Sequence, residues 1–243
     1  MKKFFVSLLL GILLPSCICT ASAQTSFSVL GDSYSTFKGL MPEGYANYYP
    51  DHSQTVKSVG QTWWKLVEAK TGWKLDTNNS WSGSTICTTG YSGNDYTHEA
   101  FVTRTALLGR PDVILILGGT NDAWADSPIG EYKYDDITVK DLKFFRPAMA
   151  CMLQKLAERY PESKIVFILN YNLKAEVDES VNTICAHYGV PVIELDSFDM
   201  ENGHPTDKGM EQIAGQIGTM GTDDGFCIWP NSFFKVFIIY TAL

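Results

Sequence analysis

The stretch VILILGGTND, Val113–Asp122, decides the fold class of this chain. Its first five residues are all apolar, without alternation between apolar and polar positions, and two glycines end the run. A continuous run of Val, Ile and Leu is typical of a strand that is covered on both faces, as in a parallel sheet. The stretch therefore predicts a central strand followed directly by polar residues.

Four other segments complete a set of five predicted strands, and helical patterns separate them. The other segments are Phe27–Leu30, Ile165–Leu169, Val192–Leu195 and a weaker one, WKLDTNN, from Trp73. Apolar residues at helical spacing occur in residues 63–70, 101–108, 145–156, 177–188 and 210–217. The alternation of strands and helices predicts an α/β domain with right-handed crossovers.

The composition predicts one globular domain. The chain has 243 residues, of which 45% are hydrophobic, and this is enough for a full-sized core. Its formal net charge of −8 argues against a nucleic-acid partner, because phosphate binding needs clustered Lys and Arg.

The N-terminal residues 1–23 have the pattern of a secretory signal peptide. Lys2 and Lys3 precede the apolar stretch FFVSLLLGILL, and ASAQ offers a small-x-small cleavage site. The apolar stretch is too short for a spanning helix of about 20 residues. We therefore expect a secreted or periplasmic protein without a membrane span. The alternative is a lipoprotein signal that ends at Cys17.

The cysteines do not suggest a metal site. Four of the six lie beyond the leader, at wide spacing and without a CxxC pair. Export permits disulfides, and the sequence leaves their pairing open. The four are Cys87, Cys151, Cys185 and Cys227.

Polar groups suited to acyl transfer follow four of the predicted strands. Ser33 lies in GDSYS, Gly83 in NNSWSGS, Asn121 in GGTND and His204 in NGHP. The carboxyl ends of parallel strands share one edge of the sheet, where ligands bind. There His204 can take the proton of the Ser33 hydroxyl and return it to the leaving group. The backbone N–H groups of Ser33 and Gly83, with the Asn121 amide, can stabilise an oxyanion.

These four blocks, in this order, resemble the SGNH (GDSL-like) hydrolase family. The resemblance covers about residues 27–217 and implies a flavodoxin-like, three-layer α/β/α sandwich in a hydrolase domain of residues 24–220. It also implies serine esterase or lipase chemistry without a metal or other cofactor. Members include carbohydrate acetylesterases, lysophospholipases and thioesterases.

One position departs from the family pattern, which usually has aspartate three residues before the histidine. Here that residue is Glu201, and Asp199 lies five before the histidine. Either carboxylate could orient the imidazole of His204 and stabilise its charged form. Spacing favours Glu201. The third possibility is a Ser–His dyad whose imidazole is held by a backbone carbonyl.

Other residues near the blocks have two interpretations each. His98, in DYTH, has the spacing expected of the base but lies between the second and third blocks. Trp81, Tyr91 and Trp124 flank the blocks and could line a substrate groove or cover the turn at Ser33. Asp32 and Asp122 are interpreted as structural residues. His52 and His187 are interpreted as ordinary surface residues.

Two segments fall outside the strand–helix pattern. The long segment 39–60 is rich in Tyr and Pro and is predicted to pack over the active face. The tail, residues 221–243, could add an edge strand or remain unplaced. The chain as a whole predicts a secreted serine esterase for a short acyl group on a small molecule or a glycan. A lysophospholipase or thioesterase and a non-catalytic glycan-binding module are the alternatives, and the oligomeric state is left open.

Overall fold

A five-stranded parallel sheet lies at the centre of the computed structural model, which describes residues 24–219. The strand order is β2-β1-β3-β4-β5, which is the flavodoxin-like order. The strands are β1 Ser26–Gly31, β2 Lys74–Ser80, β3 Val113–Gly118, β4 Lys164–Leu169 and β5 Val192–Glu194. All five predicted strands are therefore confirmed.

Helices cover both faces of the sheet and make three layers, as predicted. They are α1 Trp63–Thr71, α2 Phe101–Arg104, α3 Thr120–Trp124, α4 Phe145–Arg159, α5 Ala175–Tyr188 and α6 Asp207–Thr219. In β3, Ile114 and Ile116 pack in the core formed with α2, α4 and α5. Leu115 and Leu117 pack in the opposite core, formed with α1 and α6. Burial on both faces explains why β3 is apolar throughout.

The second predicted helix is shorter than residues 101–108. It ends at Arg104, because the backbone that follows forms hydrogen bonds with residues outside the helix. Leu108 donates its N–H to the Tyr160 hydroxyl, and its carbonyl accepts a hydrogen bond from Ser28. Since these bonds tie Leu108 to the core, the chain cannot continue as a helix there.

A small hairpin that the sequence analysis did not predict carries His204. Its strands are β6 Met200–Glu201 and β7 His204–Pro205, and they are antiparallel. Asn202 and Gly203 form the two-residue turn, with φ values of 49° and 75°. Both residues have positive φ, as a type I′ turn requires, and Asn-Gly is its preferred sequence.

The strand order places the functional segments together. The chain leaves β1 for β2 on one side and later returns to β3 on the other side of β1. Gly31 at the end of β1 pairs with both Ser80 and Leu117. The carboxyl ends of β1 and β3 therefore meet at the switch point, with Ser33 following one and Asn121 the other.

Several predictions concern residues outside the described range. These are the signal peptide of residues 1–23, the lipoprotein cysteine Cys17, and the tail of residues 221–243. Within residues 24–219, no helix is both long enough and apolar enough to cross a membrane. Over the same range the cysteines Cys87, Cys151 and Cys185 are free thiols.

The buried guanidinium of Arg104 ties together the segments at the active edge of the sheet. It donates to the carbonyls of Gly31 at the end of β1, Asn79 in β2 and Glu99 before α2. It also donates to the Ser84 hydroxyl, next to Gly83. Burial lowers the pKa of Arg104 to about 10, so the side chain is still charged at neutral pH.

We predict that Arg104→Met lowers the free energy of unfolding by about 3 kcal/mol or more, because several buried oxygens lose their donor together. Urea denaturation of the two proteins measures the difference. The matched control is Arg110→Met, since Arg110 is exposed, and there we expect a change of less than about 0.5 kcal/mol. Equal stability of wild type and Arg104→Met would contradict the role assigned to Arg104.

Candidate active site

Ser33 and His204 form a hydrogen-bonded pair at the switch point. Ser33 begins a short 3-10 turn directly after β1, and the Asp32 carboxylate caps this turn by accepting from the Tyr34 N–H. The Ser33 Oγ lies 3.0 Å from the His204 Nε2. This is the distance and the pairing that a hydroxyl nucleophile and its general base require.

The second imidazole nitrogen fixes the tautomer of His204. Its Nδ1 lies 3.1 Å from the backbone carbonyl oxygen of Asn202, in the hairpin turn. A carbonyl can only accept, so Nδ1 carries the proton and donates it to Asn202. Nε2 is then unprotonated and can accept the hydroxyl proton of Ser33.

Neither predicted acid reaches the imidazole, and this differs from the expectation that favoured Glu201. The Glu201 carboxylate accepts hydrogen bonds from the Ser53 hydroxyl and the Gln54 N–H, each at 2.7 Å. The Asp199 carboxylate accepts from the Thr206 hydroxyl. The tight Asn-Gly turn brings a backbone carbonyl to Nδ1 instead. The arrangement matches the third alternative, a dyad.

The surroundings of His204 favour its neutral form. Burial lowers its pKa below the ordinary value, the hydrogen bond to Asn202 opposes this, and the neighbouring His52 adds a smaller lowering. The lowered pKa favours the unprotonated imidazole, which is the form that can accept a proton.

The three predicted oxyanion donors belong to Ser33 itself, to Gly83 in the loop after β2 and to Asn121 in α3. Gly83 has a φ of +82°, a conformation that favours glycine, and it forms no hydrogen bond with the rest of the described chain. Asn121, at the start of α3, donates from Nδ2 to the Ser84 carbonyl at 3.0 Å. An amide has a second N–H, which is left for a ligand.

Tyr91 holds the Asn121 amide in this orientation. Its hydroxyl donates to the Asn121 Oδ1 at 2.7 Å. Because the oxygen of the amide is occupied by Tyr91 and one N–H by Ser84, the amide cannot flip without losing both bonds. Tyr91 is predicted to bind substrate, and it also contacts Asn121, a predicted oxyanion donor, directly.

The two buried carboxyl groups near the site, those of Asp32 and Asp122, accept hydrogen bonds from backbone N–H groups. This agrees with the prediction that both residues are structural. The Asp122 carboxylate accepts from the N–H groups of Ile86 and Cys87, at 2.8 and 3.2 Å, and so shapes the loop after Gly83. Burial raises the pKa of Asp122 to about 6 and that of Asp32 to about 7. Neither carboxyl group has a hydrogen bond to His204.

The remaining candidate residues differ in their contacts and exposure. Trp124 is 46% exposed and has its ring 6.4 Å from that of His204. Trp81 stacks instead on Tyr45 of the long segment, with ring centroids 4.1 Å apart. His98 is exposed and is not bonded to Ser33. Two other predicted surface histidines, His52 and His187, are also exposed.

The structure places the long segment 39–60 against the site through Tyr48. The Tyr48 ring stacks on His204 with centroids 3.5 Å apart and planes 5° apart. Sequence reasoning placed this segment over the active face but did not single out Tyr48. Within residues 24–219, no cluster of His, Cys, Asp and Glu is arranged to hold a metal ion.

Comparison with known proteins identifies the family of this chain. The family model of GDSL-like lipases and acylhydrolases matches residues 25–220. The chain belongs to the GDSL-like lipase/acylhydrolase family. A protein from Bacteroides ovatus described as a GDSL-like lipase is 49% identical, with a TM-score of 0.80, over 82% of this chain and 98% of its own. A second protein described in this way, from Bacteroides uniformis, is 44% identical, with a TM-score of 0.78, over 80% of this chain and 93% of its own.

A similar fold occurs in a carbohydrate esterase, whose active site displays divergent catalytic and non-catalytic binding functions. It is 16% identical to this chain, with a TM-score of 0.60, over 83% of this chain and 70% of its own. This likeness concerns the fold. A search of curated proteins found no match. Membership in the family implies hydrolysis of an ester.

We predict that Glu201→Ala and Asp199→Ala each lower kcat/KM by less than about tenfold, because neither carboxylate touches the imidazole. Loss of an orienting acid costs about 10⁴-fold in a triad protease. Steady-state hydrolysis of a chromogenic ester measures both variants. A loss of 10³-fold or more in either variant would identify it as the orienting acid and contradict the dyad.

We predict that Tyr91→Phe lowers kcat by about tenfold with little change in KM, because the Asn121 amide is then held only by its hydrogen bond to the Ser84 carbonyl. The double variant Tyr91→Phe/Asn121→Ala should be no slower than Asn121→Ala alone, since Tyr91 acts through that amide. Independent, multiplicative losses in the double-mutant cycle would contradict this role.

Proposed function

We propose that the protein is a serine esterase that works through an acyl-enzyme at Ser33. The observation that carries the proposal is the 3.0 Å contact between the Ser33 Oγ and the unprotonated Nε2 of His204. A serine hydroxyl is a weak nucleophile until a base takes its proton, and here the base is already in place.

In the first half-reaction, the Ser33 Oγ attacks the ester carbonyl carbon while His204 Nε2 takes the hydroxyl proton. The carbonyl oxygen gains the negative charge and is bound by the N–H groups of Ser33 and Gly83 and by the Asn121 amide. The tetrahedral intermediate collapses, the C–O bond to the alcohol breaks, and His204 gives its proton to the leaving oxygen. The acyl group is then bound to Ser33 as an ester.

In the second half-reaction, water replaces the alcohol. His204 takes a proton from water, the resulting hydroxide attacks the acyl carbon, and the same donors bind the oxyanion. Collapse releases the carboxylic acid and returns the proton to the Ser33 oxygen. The backbone carbonyl of Asn202 keeps the Nδ1 proton in place throughout.

We propose a short acyl group, such as acetyl, on a carbohydrate or a small alcohol as the substrate. The exposed ring of Trp124 beside His204 is suited to packing on a sugar ring. The segment that carries Tyr45 and Tyr48 packs against the site through its contacts with Trp81 and His204. An extracytoplasmic location fits such a substrate, and we propose export through residues 1–23.

Hydrolysis of p-nitrophenyl acetate tests the reaction. We predict turnover by the wild type and a loss of at least about 10³-fold in Ser33→Ala and in His204→Ala. The matched control is Ser35→Ala, whose hydroxyl accepts from the Trp63 indole and does not touch His204. Its rate per folded molecule should stay near that of the wild type. Absence of wild-type turnover, or full activity of Ser33→Ala, would refute the proposal.

The same assay separates the candidate substrates. Rates with p-nitrophenyl acetate, butyrate and octanoate should fall as the acyl chain lengthens, and acetate should be released from acetylated oligosaccharides. A preference for octanoate would support a lysophospholipase or thioesterase instead. Binding of a glycan without release of acetate would support the non-catalytic glycan-binding module.

A further inference from the structure

The His204 imidazole is enclosed by aromatic rings. Tyr48 covers one face, with centroids 3.5 Å apart and the planes almost parallel at 5°. Tyr34 approaches with a tilt of 62° and a centroid distance of 5.4 Å, and Trp124 lies farther out at 6.4 Å. Tyr48 is therefore the ring in closest contact with the base.

The imidazole lacks the charged partner that a triad provides. In a triad the buried acid keeps the ring in its tautomer and stabilises the imidazolium that forms during reaction. Here Nδ1 donates to the neutral carbonyl of Asn202, which can do the first task but carries no full charge. The carboxylate of Glu201 is held by Ser53 and Gln54.

Two sets of contacts hold Tyr48 in place. Its N–H donates to the Thr36 hydroxyl at 2.9 Å, and that hydroxyl donates to the carbonyl of Ser33 at 2.9 Å. The next residue, Tyr49, donates its hydroxyl to the Pro205 carbonyl in the hairpin at 2.7 Å. The segment is thus bonded to the turn of the nucleophile and to the hairpin of the base.

Glu201 belongs to the second set of contacts. Its bonds to Ser53 and Gln54 connect the same segment to β6, opposite His204 in the hairpin. The residue that stands at the family's usual acid position therefore anchors the segment that brings Tyr48 to the imidazole.

We propose that Tyr48 is a positioning residue that performs part of the work of the missing acid. Its ring fixes the plane of the His204 imidazole, so that Nε2 points at Ser33. Its π-face also stabilises the imidazolium, since a cation is attracted to the face of an aromatic ring within about 6 Å. The catalytic effect of Tyr48 rests on the proposed esterase function. The contact between Tyr48 and His204 is independent of that function.

The groups that face His204 set the expected pH dependence. They are Tyr34 from the 3-10 turn, Tyr48 and His52 from the long segment, and Glu201, which lies close enough to raise the pKa of Tyr48. Both Tyr side chains are neutral near pH 7, because burial raises the pKa of each. Removal of the Tyr48 ring face should destabilise the imidazolium and lower the pKa of His204.

The first experiment measures His204 directly and needs no activity. The imidazole proton of His204 is titrated by NMR in the Ser33→Ala background, with position 48 as Tyr, Phe or Leu. We expect similar midpoints for Tyr and Phe, and a midpoint lower by about 0.5 to 1 pH unit for Leu. Identical midpoints for Phe and Leu would overturn the proposal.

The second experiment measures catalysis with p-nitrophenyl acetate. Tyr48→Leu should lower kcat by about 2- to 30-fold and move the acid limb of kcat/KM to lower pH, while Tyr48→Phe should restore most of the rate. The control is Tyr134→Leu, because Tyr134 stacks on His187 with centroids 3.8 Å apart, in a stack that includes neither Ser33 nor His204. That variant should keep the wild-type rate.

A fluorination series at position 48 keeps the proposal testable if Tyr48→Leu does not fold. Phenylalanines with increasing numbers of ring fluorines retain the shape and progressively weaken the negative face. Both kcat and the pH midpoint of the His204 titration should fall with each added fluorine. If neither quantity changes along the series, the proposal is overturned. If the wild type hydrolyses no ester, the esterase function fails, and the NMR titration still decides whether the ring stabilises the imidazolium.

Discussion

The geometry of the site depends on one buried cation. The guanidinium of Arg104 bonds the carbonyl that ends β1, a carbonyl of β2 and the hydroxyl beside Gly83. A buried charge is costly unless its donors are satisfied, so these oxygens must hold their positions around it. The nucleophile turn and the Gly83 loop both start from this fixed frame. The nucleophile side of the site is therefore built on the edge of the sheet.

The base side of the site is built differently. His204 lies on a two-residue Asn-Gly hairpin, and the turn places the Asn202 carbonyl against Nδ1. The hairpin and the segment 39–60 hold each other through Glu201 and Tyr49. A change at Glu201 would consequently act on the base through this segment, and we expect its effect to be small because the hydrogen bond to Asn202 persists.

Much of this arrangement could be predicted from the sequence for physical reasons. Continuous apolar runs such as Val113–Leu117 are typical of strands that are covered on both faces, and parallel strands bring their carboxyl ends to one edge. These two rules are enough to predict that Ser33, Asn121 and His204 lie at a common edge. The shortened α2 and the roles of Arg104 and Tyr48 could not be predicted, because they depend on contacts between residues far apart in the chain. The Asn-Gly pair before His204 is a local hairpin signal, and it could have indicated the tight turn that carries this residue.

We propose that Ser33 is a nucleophile activated by His204 without a carboxylate partner. Peptide mass mapping after reaction with a fluorophosphonate tests it most directly, because the probe bonds covalently to an activated serine. The account predicts a single adduct on Ser33 in the wild type, formed much more slowly in His204→Ala and at an almost unchanged rate in Asp199→Ala and Glu201→Ala. Absence of an adduct on Ser33, or labelling that depends on either carboxylate as strongly as on His204, would contradict it.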